Sequence, residues 1–147
     1  GALRDLWSKE DAATFDARAA MLGAQYSAYE PLPGLHVNGQ RTMGENIADL
    51  GGLTLALAAY RTHMAGKTDR VLDGFTGEQR VFIGWAQAWR GKSREDALRM
   101  QVTSNEHSPR FYRVNGPSRN TDAWYDLFGV KPGEALYLAP KDRVRIW

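Results

Sequence analysis

Cysteine is absent from the 147-residue chain, which excludes disulfide bonds, cysteine nucleophiles and thiolate-bound metal sites. This absence does not select a compartment, because a secreted protein can also lack cysteine. Long hydrophobic runs are missing too, since no apolar run approaches the roughly 20 residues needed to cross a bilayer. The net charge is only +2 and its Lys and Arg residues are spread along the chain, so no nucleic-acid interface is expected.

Several catalytic motifs are also missing. None of the three histidines is followed by glutamate, so the chain contains no H-E-x-x-H zinc motif. Phosphate loops of the type G-x-x-x-x-G-K and the G-x-S-x-G nucleophile motif are absent as well. The composition that remains, 43% hydrophobic and 24% charged, is typical of a globular domain with its own core.

Helix start signals followed by apolar residues at helical spacing predict a mainly α protein with five helices. The loop Glu30–Gly39 is rich in proline and glycine, and the polar stretch Ser104–Asn120 is predicted to be irregular. The tail from Leu136 to Trp147 gives weak indications of short extended segments. The predicted helices start at Ser8, run from Thr42 to about His63, from Thr76 to about Gly91 and from Ser93 to about Thr103, and finally from Thr121 to Phe128.

The segment TMGENIADLGG places two acids, Glu45 and Asp49, four residues apart on one helix face. Spacing alone favours a capping box in which Glu45 pairs with Thr42 at the positive end of the helix dipole. The functional alternative requires a nearby cation that compensates the two acids. The pair Gly51-Gly52 favours this alternative, because each glycine costs about 1 kcal/mol in a helix and close approach of another backbone would explain the cost.

His107 and Arg113 lie six residues apart in the predicted irregular segment. A histidine and an arginine on one loop suit the stabilisation of an anion or the binding of a carbonyl group. The alternative is a surface loop with ordinary charges. The other histidines, His36 in the proline-rich loop and His63 near a helix end, are more typical of structural or solvated positions.

Four segments follow one another along the chain: GENIADLGG, FIGWAQAWRG, EHSPRFYRVNGP and KDRVRIW. They resemble the C-terminal portion of neprilysin-family zinc metalloendopeptidases, in the family's order and approximate spacing. The resemblance extends over essentially the whole chain. It implies the helical C-terminal part of a thermolysin-like (gluzincin) catalytic domain, with short extended segments near the C-terminus.

The resemblance also implies a reaction, the hydrolysis of oligopeptides on the amino side of hydrophobic residues. It further implies a role for individual residues in this reaction. Glu45 matches the third zinc ligand, and Asp49 matches the acid that orients a zinc-ligating histidine. His107 matches the histidine that binds the developing oxyanion, and Arg113 matches the arginine that binds a substrate carbonyl. Ala88 and Trp89 match positions that line the apolar pocket for the side chain after the scissile bond.

The missing H-E-x-x-H helix is the main departure from the family. Residues 1–147 are therefore expected to form a single partial domain, a C-terminal fragment that binds no zinc and is inactive alone, although the full-length protein uses zinc. The expected partners are a peptide substrate, the missing N-terminal part of the same protein, and a second copy at the exposed face. An extracytoplasmic bacterial parent, periplasmic or secreted, is expected. The alternative is a non-catalytic helical interaction module in which Glu45 and Asp49 serve as cap and solubility residues.

Overall fold

The computed structural model describes residues 6–146, and α helices dominate this range. The mainly α prediction is therefore confirmed. Trp147, which ends the last of the four sequence motifs, lies outside the described residues. The helices are α1 (Lys9–Ser27), α2 (Met43–Met64), α3 (Gly77–Ala88), α4 (Glu95–Ser104), α5 (Arg110–Asn120) and α6 (Asp122–Phe128), followed by one 3-10 turn, Pro140–Asp142.

Two of the predicted helix caps are confirmed, and two are wrong. The side chain of Ser8 caps α1, and Thr76 forms a reciprocal capping box with Gln79 at the start of α3. Thr42 makes no cap bond: its hydroxyl oxygen accepts from the Asn46 side chain instead of a backbone N–H, and its hydroxyl donates to the carbonyl of Asn38. Helix α4 begins two residues after Ser93, with no side-chain cap, and its acidic first turn complements the helix dipole.

The prediction that Ser104–Asn120 is irregular is wrong for its second half, which forms α5. Pro117 lies inside this helix and has no N–H for the carbonyl of Arg113, four residues earlier. The indole Nε1 of Trp85 on α3 donates to that carbonyl at 3.0 Å. Tertiary packing therefore satisfies the group that the proline leaves free, and the helix is tolerated.

The C-terminal tail contains extended backbone but no β-strand within residues 6–146. Ala139 and Arg143 have extended dihedral angles on either side of the 3-10 turn. The β pairing in the described range consists of two isolated bridges, Leu32 with Leu35 and Leu72 with Phe75. The tail contributes to the core through Val144 and Ile146, which are both buried.

Helix α2 is the central element, because it packs against α1, α3 and α5. Its buried residues join two apolar clusters, which fix the helix along its length. The first turns of α2 are thereby held beside α5, where the candidate site lies. No helix in residues 6–146 has the length and hydropathy of a membrane span. One cluster contains Leu22, Tyr26, Val37, Leu50, Val144 and Ile146, and the other contains Leu53, Leu57 and Phe82.

Candidate functional site

The centre of the site is an ion pair between Arg113 on α5 and Asp49 on α2. Arg113 Nε donates to Asp49 Oδ2 at 2.6 Å, and Nη2 donates to Oδ1 at 2.8 Å. The two side chains are only 10% and 6% exposed. This bidentate geometry fixes the plane of the guanidinium group and links two helices that lie 64 residues apart in sequence.

Two tryptophans, Trp85 on α3 and Trp89 directly after this helix, contact Arg113 from a second direction. The Arg113 Cζ atom lies 3.8 Å from the centroid of the Trp89 ring, which is a cation–π contact. Trp85 donates to the Arg113 carbonyl and packs edge-on against Trp89, with ring centroids 5.7 Å apart. Both the side chain and the backbone of Arg113 are therefore fixed before any ligand arrives.

One nitrogen of the Arg113 guanidinium group, Nη1, differs from the other two in its contacts within residues 6–146. Nε and Nη2 are occupied by Asp49 and Glu45, whereas Nη1 has no acceptor within residues 6–146. The fully buried side-chain nitrogens that lack a partner in this range are Trp89 Nε1 and Arg119 Nε, so Nη1 retains contact with solvent. Nη1 thus presents two N–H donors at the surface of the site.

Glu45 lies at the outer edge of this cluster. Its Oε2 atom lies 3.0 Å from His107 Nε2 and 3.4 Å from Arg113 Nη2. The Glu45 side chain is 39% exposed, and its second oxygen, Oε1, has no hydrogen-bond partner among residues 6–146. Glu45 therefore points one carboxylate oxygen towards the His107 ring and the Arg113 guanidinium group and leaves the other available.

Asn105 orients the imidazole of His107. Its Oδ1 atom accepts the His107 backbone N–H at 2.8 Å and lies 3.0 Å from His107 Nδ1. The backbone N–H can only donate, so Asn105 Oδ1 is an acceptor, and its contact with Nδ1 is a hydrogen bond in the form of the imidazole that carries a proton on Nδ1. This arrangement turns Nε2 towards Glu45 and the open side of the site, where the His107 side chain is 46% exposed.

The two predicted pocket residues, Ala88 and Trp89, lie in different surroundings. Trp89 lines a groove of about 490 Å³ together with Ile83, Arg110 and Phe111. Ala88 is exposed at the last residue of α3. The structure therefore brings Glu45, Asp49, His107, Arg113 and Trp89 together, whereas Ala88 is not among the residues that line the groove beside Trp89. His36 and His63 are both exposed, which agrees with the solvated one of the two positions, structural or solvated, expected for them.

Comparison with known proteins connects this geometry to a family. The model of peptidase family M13 matches residues 1–144, which is nearly the whole chain. The chain belongs to peptidase family M13. The resemblance to the neprilysin family in the four sequence motifs is thereby confirmed.

Individual relatives of this M13 chain are much longer proteins. A neutral endopeptidase of Lactobacillus helveticus is 34% identical over 152 residues, which cover 100% of this chain and 21% of the relative. The human membrane metallo-endopeptidase-like 1 is 37% identical, with 100% of this chain and 19% of the relative covered. The crystal structure of the Mycobacterium tuberculosis zinc metalloprotease ZMP1 with an inhibitor is 48% identical, with a TM-score of 0.95, and 99% of this chain and 23% of that one are covered. The chain thus spans about a fifth of the length of these relatives.

Sequence reasoning missed four residues of the site in this M13 chain, although two signals for them exist. Pro117 leaves the Arg113 carbonyl without its helical donor, which predicts a donor such as Trp85. Asn46 is a polar residue in the stripe of buried positions that continues with Leu50, Leu53 and Leu57, which predicts a buried polar partner. That partner is Ser108. Asn105 had no signal of this kind.

Proposed function

We propose that this M13 chain supplies the third metal ligand, an oxyanion-stabilising histidine and a substrate-binding arginine to a zinc-dependent endopeptidase. The full-length protein would hydrolyse oligopeptides on the amino side of hydrophobic residues. The observation that carries the proposal is the convergence of Glu45, Asp49, His107 and Arg113, which lie in direct contact although they come from two distant parts of the sequence.

Glu45 is the residue that would hold the zinc ion. Its Oε1 atom is unpaired within residues 6–146, and a carboxylate oxygen is an ordinary zinc ligand. Residues 6–146 contain no group of three or more side chains able to hold a metal ion, so we infer that the other ligands come from the remainder of the polypeptide. When bound, zinc polarises a carbonyl group and lowers the pKa of its water towards neutrality.

His107 would stabilise the oxygen that becomes negative during peptide hydrolysis. The Asn105 side chain lies against Nδ1, so Nε2 is the nitrogen that faces the site. Nε2 lies 3.0 Å from Glu45 Oε2, and with a proton on it this nitrogen would donate to an oxyanion at a similar distance. Donors fixed before the reaction are effective, because they need no reorganisation when the charge develops.

Arg113 would bind a backbone carbonyl of the substrate through Nη1. Asp49 and Trp89 hold the guanidinium group in one orientation, so little conformational entropy is lost on binding. Asp49 would also orient a zinc-ligating histidine, because each of its oxygens accepts one bond from Arg113 and retains a second lone pair. Trp89 and Ala88 would line the pocket for the hydrophobic side chain after the scissile bond.

An apolar groove of about 430 Å³ beside Gly51 supports the inference of a larger protein. A Cβ atom on Gly52 would meet no atom within 4 Å, and Leu55 is 70% exposed. Since this chain spans 21% of its Lactobacillus helveticus relative, we infer that the remainder of the polypeptide covers this groove. Self-association through the same face is the other candidate. The groove is lined by Leu50, Leu55, Ala123, Val144 and Ile146, among others.

We further propose an extracytoplasmic location, periplasmic or secreted, in a bacterial parent. The name of the human relative, membrane metallo-endopeptidase-like 1, associates that protein with a membrane, and the relative from Lactobacillus helveticus is bacterial.

The proposal predicts different zinc contents for the 147-residue chain and for the full-length protein. The full-length protein should bind zinc stoichiometrically and cleave peptides before hydrophobic residues, whereas the 147-residue chain should do neither. Zinc is measured by atomic emission after dialysis, and cleavage is measured by mass spectrometry of a peptide library.

Circular dichroism of both proteins is the control for folding in this comparison. We expect the 147-residue chain to be helical and to contain no zinc, and we expect the full-length protein to contain zinc and to be active. Tight stoichiometric zinc binding by the 147-residue chain would contradict the assignment of the other ligands to the remainder of the polypeptide. A folded full-length protein without zinc or peptidase activity would contradict the function itself.

A further inference from the structure

A chain of buried hydrogen bonds runs directly behind the candidate site. Ser108 Oγ donates to Asn46 Oδ1 at 2.8 Å, and Asn46 Nδ2 donates to Thr42 Oγ1 at 2.8 Å. The Thr42 hydroxyl in turn donates to the Asn38 carbonyl at 3.0 Å. Ser108, Asn46 and Thr42 are only 1%, 0% and 3% exposed. Burial of a polar side chain costs free energy unless its hydrogen bonds are satisfied, and a satisfied network specifies one geometry.

This network joins the two backbone segments that carry Glu45 and His107. Asn46 follows Glu45 in sequence, and Ser108 follows His107, so each site residue has a neighbour in the network. The same two segments are therefore linked twice. The outer link is the Glu45–His107 pair at 3.0 Å, and the inner link is the Ser108–Asn46 hydrogen bond.

The inner link is the one that can hold the distance between the segments. The side chains of the outer pair are 39% and 46% exposed, and exposed ion pairs contribute little because solvent screens them. In the proposed function, Glu45 would also turn its charge to a metal ion. The inner bond is independent of both effects because it is buried and uncharged.

The placement of His107 relative to α2 depends on Ser108 because of where His107 lies in the chain. His107 lies in the short connection between Ser104, where α4 ends, and Arg110, where α5 begins. Gln101 contributes long contacts to this connection, at 3.5 Å to the His107 carbonyl and 3.4 Å to the Ser108 carbonyl. The bond from Ser108 to Asn46, at 2.8 Å, is the short link from this connection to α2.

We propose that Ser108 and Asn46 are positioning residues, which set the distance of His107 from Glu45 and act on the reaction only through His107. This inference rests on the proposed peptidase function. It adds two residues that would contact neither substrate nor metal. Its consequence is that loss of the Ser108 hydroxyl impairs the chemical step more than substrate binding or metal binding.

The first test is Ser108→Ala in the full-length protein. We expect kcat to fall by about 10- to 100-fold, because small displacements of a catalytic group have effects of this size. KM and zinc content should stay close to those of the unmodified protein. Ser118→Ala is the matched control, since Ser118 is 5% exposed and its hydroxyl donates to Val114 within its own helix at 2.8 Å. This control should lower kcat by less than about twofold, because surface and packing changes away from the site leave the geometry intact.

A double-mutant cycle separates positioning from a general structural effect. His107→Ala should lower kcat strongly, and Ser108→Ala should have no further effect in the His107→Ala background. The inference would be overturned if Ser108→Ala and Ser118→Ala lowered kcat equally. It would also be overturned if Ser108→Ala lowered kcat as much in the His107→Ala background as it does with His107 present. An unchanged kcat in His107→Ala alone would overturn the proposed function and the inference with it.

A second pair of variants applies if Ser108→Ala does not fold. Thr42→Val removes the hydroxyl that accepts from Asn46 while it keeps the side-chain shape, and Thr42→Ser retains the hydroxyl. We expect a lower kcat in Thr42→Val and recovery in Thr42→Ser. Equal kcat values in these two variants would contradict the proposal.

Discussion

Glu45→Gln in the full-length protein is expected to lower zinc affinity by more than about 100-fold, since changes to residues behind the metal ligands alone cost 10- to 100-fold. Peptidase activity should be lost with the metal. The substitution keeps the side-chain shape but removes the negative charge that a zinc ligand supplies. Zinc affinity is measured by competition with a chelating dye, and activity is measured with a peptide substrate.

The competing interpretation of Glu45 as a helix-cap residue makes a different prediction. Removal of a cap residue costs about 0.5–2 kcal/mol of stability and leaves metal binding unchanged. The structure argues against this interpretation, because Thr42 forms no cap bond and Glu45 contacts His107 and Arg113 instead. Glu95→Gln is the matched control, since Glu95 lies in the acidic first turn of α4 and forms an exposed pair with Arg99. Unchanged zinc affinity in Glu45→Gln would contradict the metal-ligand assignment.

Asp49→Asn should destabilise the chain by about 3–5 kcal/mol, because it removes the buried carboxylate that pairs with Arg113 and leaves only the long contact with the partly exposed Glu45, at 3.4 Å. The Asp49 and Arg113 side chains are 6% and 10% exposed, so little water reaches the position of the lost carboxylate. The new amide group would also place N–H donors against the donors of the guanidinium group. The free energy of unfolding is measured by urea denaturation of the 147-residue chain, followed by circular dichroism.

The control for this measurement is again Glu95→Gln, because it removes the same charge from an exposed pair. The Glu95 and Arg99 side chains are 67% and 51% exposed, and pairs of this kind contribute about 0.3–0.5 kcal/mol. A large difference between the two substitutions is expected. Similar small losses in both variants would mean that the Asp49–Arg113 pair is not a buried charge pair in solution.

Local sequence rules were sufficient for most of the helices. Four of the five predicted helices lie within a few residues of α1, α2, α3 and α4, and the fifth matches α6 with its stop at Gly129. These elements depend on spacing and caps that lie within a single stretch of chain. Gly129 ends α6 in the left-handed conformation, with φ 66°, which glycine adopts without strain.

Contacts between distant segments decided the features that sequence reasoning missed. Helix α5 contains Gly116 and Pro117, both poor helix formers, and packing against α2 and α3 overrides their propensity. The capping box at Thr42 is an exception, because it was wrong for a local reason: Asn38 and Asn46, each four residues away, occupy the Thr42 hydroxyl. The bidentate pairing of Asp49 with Arg113 was also not predicted, because spacing along one helix cannot reveal a partner 64 residues away.

The candidate site residues were identified from sequence motifs, whereas the contacts between them were found only in the structure. Motif resemblance selected Glu45, Asp49, His107 and Arg113 without any distance between them. The fold adds that Asp49 holds Arg113, that Trp89 stacks on it, and that Glu45 lies beside His107. The roles proposed for these residues follow from those contacts together with the family resemblance.

The position of the metal ion relative to Glu45 tests the central claim most directly. Anomalous diffraction at the zinc edge from crystals of the full-length protein locates the ion without reference to activity. The proposed function predicts zinc at about 2.0–2.2 Å from a Glu45 carboxylate oxygen, with His107 and Arg113 around the open side of the ion. Zinc bound elsewhere, with Glu45 still paired to His107 and Arg113, would contradict it.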